Sequence, residues 1–144
     1  MEENMTDSEN ELAGWPLPEQ GEFVWTEIGV SDADKCQAFY ENVFGWKFKS
    51  GGADVPGMDY REFSTDGEIP IGGLYQIDPA FFGDDAPRPH FLTYVAVDNV
   101  DQAAKKVEDL GGKVHKTIEV PNVGRMSVIE DPSGAMIATF RMKD

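Results

Sequence analysis

The last two thirds of this 144-residue chain carry one pattern twice, 67 positions apart. Laid without a gap, residues 25–73 over 92–140 set Gly45 on Gly112, Gly67 on Gly134, and Ser31-Asp32 on Asp98-Asn99. A repeat of this length is one supersecondary unit that cannot bury a core alone, so the two copies must share one about a pseudo-two-fold axis. Such an arrangement puts a working surface between equivalent strands.

The local pattern defines the unit. Residues 23–30, FVWTEIGV, are rich in strand formers. Ser31 is a helix cap with Asp34 at the third helical position, and Cys36, Phe39, Tyr40, Val43 and Phe44 then recur at helical spacing, predicting one apolar face that Gly45 ends. Strands follow at 46–50, 58–64 and 71–77, joined by the turns GGADVPG and DGEIP. The second copy repeats the order: a strand at 91–97, a helix capped by Asp98 with Val100, Ala103, Ala104, Val107 and Leu110 on its apolar face, a stop at Gly111 and Gly112, strands at 112–120 and 122–130, a DPSG turn and a last strand at 135–142. The fold class is therefore α+β, two βαβββ units in pseudo-two-fold arrangement forming a curved sheet or a barrel-like cavity. A doubly wound sheet would place a helix after nearly every strand, and no glycine-rich phosphate loop follows a strand. The chain divides into an acidic, flexible leader (1–20), a first unit (21–77), a linker (78–89) in which Phe81 and Phe82 could pack across the junction or on a partner subunit, and a second unit (90–144).

Charge narrows the partners. The formal net charge is -15, from 27 acidic and 12 basic residues, and residues 1–22 hold seven acids and no Lys or Arg. A chain this acidic is repelled by phosphate backbones and anionic lipid, which argues against nucleic-acid and membrane partners. No apolar run reaches the ~20 residues of a membrane span, and the acidic start lacks the features of a secretory signal; the expectation is a soluble cytoplasmic protein. A single cysteine, Cys36, allows no intramolecular disulfide and reads as a structural thiol on the apolar side of its helix.

The elements VSDADKCQAFYENVFGWKF with Gly72-Gly73, VAVDNVDQAAKKVEDLGGKV and VGRMSVIEDPSGAMIATF resemble the glyoxalase, bleomycin-resistance and extradiol-dioxygenase superfamily, also called vicinal oxygen chelate proteins. The resemblance covers about 120 residues. It implies paired units enclosing an elongated cavity and, in metal-dependent relatives, four side-chain ligands from the first and last strands of each unit. Those stations fall here on Trp25, Leu92, Ile71 and Ala138. None is a metal donor, so the resemblance is to a member with no metal and no other cofactor.

Strand alternation then assigns the inward residues. With Trp25 and Leu92 pointing inward, the same faces carry Glu27, Gly29, His90, Tyr94 and Ala96. Glu27 and Tyr94 are repeat equivalents, which an axis of this kind brings close together. The reading is a protein that binds a small organic molecule, with Trp25, Tyr60, Leu92 and Tyr94 as walls, Glu27 as polar anchor and Arg125 as a contact at the mouth for an anionic group. Two alternatives stand beside it: a metal-independent isomerase or lyase with Glu27 as acid or base and Tyr94 stabilising oxyanion charge, and a structural or regulatory interaction protein. His90 and His115 share no evident face and read as rim or surface residues. A homodimer is compatible with the open sheet edges, although two complete units do not require one.

Overall fold

The structure, a computed structural model, describes residues 17–51 and 57–143. Most of the acidic leader and the turn at 52–56 lie outside the described residues, as do the side chains of Phe81 and Phe82. The first unit comprises β1 (Phe23–Val30), α1 (Ala33–Phe44), β2 (Lys47–Ser50), β3 (Tyr60–Ser64) and β4 (Pro70–Gln76). The second comprises β5 (His90–Ala96), α2 (Val100–Asp109), β6 (Lys113–Val120), β7 (Gly124–Glu130) and β8 (Met136–Met142). The segment between them contains a one-turn helix at Pro79–Phe82, capped by Asp78, and a short 3-10 turn.

All eight strands form one mixed sheet in the order β2-β3-β4-β1-β5-β8-β7-β6. It does not close: β2 and β6 are its two edges, so the curved-sheet form of the expectation holds and the barrel form does not. The units meet where β1 pairs antiparallel with β5, and in that ladder Thr26 stands opposite Thr93. Those residues are also repeat equivalents, so the pseudo-two-fold axis runs through this pair.

Both helices lie on one face. Ile28, Val30, Phe63 and Leu74 are buried there against Cys36 and Tyr40 of α1 and against Trp46. Arg61 fastens α1 to β3 through Asp34 at 2.8 Å and Gln37 at 2.9 Å. Each N-cap falls one residue later than the sequence pattern suggests, on Asp32 and Asn99, whose side chains accept from the Lys35 and Gln102 amides. Ser31 lies just outside the helix, where its carbonyl accepts from Gln76 Nε2, while Gln76 Oε1 accepts from the Ala33 amide. Asp34 accordingly pairs with Arg61 instead of completing a capping box. The predicted apolar faces are also narrower than their spacing implies: Phe39, Val43 and Phe44 on α1, and Leu110 just beyond α2, are exposed.

The opposite, open face is where β1 and β5 present Trp25, Glu27, Leu92 and Tyr94. Its second half is apolar, with Tyr94, Met126, Ala138 and Phe140 buried against Trp25, Leu92, Ile118 and Val128. Its first half holds Tyr60, Tyr75 and Ile77.

Candidate functional site

Glu27 lies in β1 opposite Leu92, one step from the axis, with Tyr94 diagonal to it and opposite Trp25. A diagonal neighbour across an antiparallel pair is ~7–8 Å away, within reach of long side chains. The Tyr94 hydroxyl donates to Glu27 Oε1 at 2.7 Å. From the other direction the Tyr60 hydroxyl donates to Oε2 at 2.8 Å and accepts from the Trp25 indole N–H at 2.9 Å. One carboxylate thus ties β1, β3 and β5, and both halves of the repeat, into a chain of hydrogen bonds.

Glycine makes this geometry accessible. Gly73 of β4 is the register neighbour of Glu27, and the Tyr60 phenol occupies the space a Cβ at Gly73 would need. A Cβ at Gly29 would meet the Tyr75 hydroxyl and His90 Cε1, both at 2.7 Å. Over that gap Tyr75 Oη and His90 Nε2 are 2.8 Å apart, and His90 Nδ1 is 2.6 Å from the Arg88 carbonyl. A ring nitrogen facing a carbonyl carries the hydrogen, so in the neutral imidazole the other nitrogen accepts from the Tyr75 hydroxyl.

The electrostatics follow from the burial. Desolvation raises the Glu27 carboxyl above its ordinary value, against the two phenol hydrogen bonds and the nearby His90, which lower it. Burial and the Glu27 charge push Tyr60 and Tyr94 far above the ordinary phenol range, so both remain hydrogen donors. Tyr75 is raised for the same two reasons.

Trp25, Glu27, Tyr60, Leu92 and Tyr94 are therefore gathered on one face. Arg125 is not. It stands on the helix face, its guanidinium 2.8 Å from Asp101 of α2 and 3.2 Å from Glu119, so the expected place at a mouth is corrected. His115 pairs with Glu130 in the adjoining strand, at the far end of the sheet. His90, expected at the rim, joins Tyr75, a residue the sequence reading did not select. Its period-two relation to Gly73 was the available signal, for it places Tyr75 on the face of Glu27.

The stations where metal-dependent relatives would hold an ion do not fit one here. Trp25 presents an N–H that is already donated to Tyr60, and Leu92 and Ala138 belong to the apolar cluster. The gapless repeat frame also slips in the last strands. Tyr94 neighbours Ala138, whereas its equivalent Glu27 neighbours Gly73, so the structural counterpart of Ala138 is Gly73 and not Ile71. An indole N–H, two aliphatic side chains and a glycine covered by a phenol cannot replace a hydration shell. Among the described residues, no group of three or more His, Cys, Asp or Glu converges as a metal-binding set, and no helix is long and apolar enough to cross a membrane.

A sequence profile of the Glyoxalase/Bleomycin resistance protein/Dioxygenase superfamily matches residues 22–139. The chain belongs to this superfamily. Among other members it is 33% identical over 124 residues to the protein CFP32 of Mycobacterium tuberculosis, covering 85% of this chain and 45% of that protein. It is 33% identical over 126 residues to the anthracycline biosynthesis protein DnrV of Streptomyces peucetius, covering 81% and 46%. The chain spans about half the length of these curated relatives. In fold it is similar to the methylmalonyl-CoA epimerase of Mycobacterium tuberculosis, with a TM-score of 0.57 and 15% identity over 86% of this chain and 89% of that one. The superfamily fold is thus shared.

Two outcomes follow for this superfamily member. Tyr60→Phe leaves both Glu27 Oε2 and the Trp25 indole without a partner, and will cost about 1–3 kcal/mol in urea unfolding; Tyr94→Phe orphans one oxygen and will cost less. Because the folded-state value of Glu27 is raised, its contribution to stability is fully present below the unfolded value of about 4.5 and is lost as pH rises through the folded value. Glu27→Gln, which does not titrate, will therefore gain stability relative to wild type as pH rises above about 4.5 toward the folded value, measured as the difference in urea midpoints.

Proposed function

We propose that this protein binds a small, partly apolar organic molecule on the open face of the sheet without a metal ion, with Glu27 as the polar anchor. The observation that carries the reading is a partly buried carboxylate fixed by phenols from both halves of the repeat and bordered by apolar side chains. Burying a carboxylate is costly unless it is well paired, and two phenol donors engage half of its roughly four acceptor positions. The remaining positions are available to a ligand, and Trp25, Leu92, Tyr60 and Tyr94 supply the walls. A few convergent polar groups in a mostly apolar setting are the usual composition of a small-molecule site. The likeness to a protein named for anthracycline biosynthesis is in keeping with an organic ligand of this kind. We place the binding in a cytoplasmic protein, in keeping with the acidic composition, and in a homodimer in which a second subunit covers an open edge of the sheet.

A second reading draws on the raised Glu27 carboxyl. A carboxyl held above its ordinary value can exchange a proton closer to neutral pH, and Tyr94 could turn its hydroxyl from Glu27 to a developing oxyanion. Under that reading the molecule bound is the substrate of an isomerase or lyase step, and Glu27→Ala abolishes turnover while leaving the fold intact.

Native mass spectrometry of freshly isolated protein, with elemental analysis of the same sample, tests the binding reading. The expected result is retained mass from a small organic molecule, sharply reduced in Glu27→Ala, with no stoichiometric metal. Stoichiometric zinc, nickel, iron or manganese, or retention unchanged in Glu27→Ala, would contradict it.

A further inference from the structure

The hydrogen-bond inventory of the open face restricts what can approach Glu27. We propose that the ligand group meeting this carboxylate is a cationic hydrogen-bond donor, an ammonium borne on a small, partly apolar molecule. This inference rests on the open face being the binding site.

The polar hydrogens that the described side chains bring to Glu27 and its phenols are already committed. The Trp25 indole donates to Tyr60, Tyr60 and Tyr94 donate to Glu27, Tyr75 pairs with His90, and His90 Nδ1 faces the Arg88 carbonyl. What the cluster offers a newcomer is acceptors: the remaining positions on the carboxylate and the lone pairs of phenol oxygens. A carboxylate, phosphate or carbonyl on the ligand would meet acceptors with no donor to spare. An alcohol could donate one hydrogen, but an ammonium donates up to three and also brings the opposite charge.

Charge points the same way. Among the described residues, Glu27 accepts from Tyr94 and Tyr60, and His90 is close enough to act on its charge. A second carboxylate, Glu62, also acts on Tyr60 and stands opposite Lys49 in the β2–β3 ladder, so it serves as the control for the general field. The carboxylate's two hydrogen bonds come from phenols, and a charge-assisted N–H···O bond is about twice as strong as a neutral one. The aromatic side chains grouped here, Trp25, Tyr60, Tyr75 and Tyr94, favour a cation over an anion through their ring quadrupoles. The net charge of -15 attracts cations to the whole surface, so a test must separate local recognition from that general field.

Three probes of one shape do so: benzylamine, benzyl alcohol and benzoate, each titrated into the 15N-labelled full chain. The signals to follow are the Trp25 indole N–H and the Leu92 and Tyr94 amides. The expected result is benzylamine binding at least about tenfold more tightly than benzyl alcohol, with benzoate weakest. The preference collapses in Glu27→Gln and survives in Glu62→Gln, which lowers the field without touching the anchor. The order of the three affinities in the unmodified chain tests the proposal even if Glu27→Gln folds poorly. Equal or tighter binding of benzyl alcohol or benzoate at the same signals, or a preference that survives Glu27→Gln, overturns the amine assignment while leaving the open face as a binding site. Silence of these signals to all three probes overturns the binding reading and the amine assignment with it.

Discussion

The antiparallel pairing of β1 with β5 is the constraint on which the rest of the structure depends. Its register sets Thr26 against Thr93, two residues that occupy the same place in the repeat, and thereby makes one backbone ladder the symmetry axis of the whole sheet. A slip of one residue would send every side chain of β1 to the opposite face, exchanging Glu27 for Ile28 on the open side. In the observed register Ile28 and Val30 of β1 face α1, while Glu27 lies diagonal to Tyr94 at a separation their side chains can span. The outer strands only extend what this pair begins.

Having placed a carboxylate there, the fold must compensate its lost hydration, and it does so with asymmetry between the copies. The first copy carries Gly73 beside Glu27, which allows the Tyr60 phenol to reach across β4. In the second copy, Ala138 stands beside Tyr94 and Met126 and Phe140 fill the surrounding space. One half of the open face is therefore a hydrogen-bonded aromatic cluster and the other an apolar packing layer. The duplicated scaffold carries a hydrogen-bonded carboxylate at its centre, close to the axis but belonging to one copy alone.

Much of this was legible in the residues. Spacing and glycine positions predicted two βαβββ units with strands close to those observed, and the repeat offset placed Glu27 near Tyr94. The differences have specific physical causes. Ser31 and Asp98 resemble caps, yet each helix begins one residue later, and in the first copy Gln76 engages the Ser31 carbonyl through a contact 45 positions away that no local pattern encodes. Helical spacing marked Phe39, Val43, Phe44 and Leu110 as apolar, but a spacing does not say how wide a face the sheet will cover. Arg125 follows a glycine and was assigned to a mouth, whereas strand alternation puts it over Asp101. The pairing of Tyr75 with His90 depends on space left by Gly29, a tertiary fact visible once the strands are in register.

The central claim is that Glu27 is a desolvated carboxylate held between phenols, poised to interact with a bound molecule. A carbon-13 NMR titration of the Glu27 side-chain carboxyl in the folded chain tests it most directly. The account predicts a midpoint clearly above the ordinary value of about 4.5, since burial outweighs the hydrogen bonds from Tyr60 and Tyr94. A midpoint at or below that value would show a carboxylate that remains fully hydrated or is compensated by a cation of the protein itself, and would contradict the account.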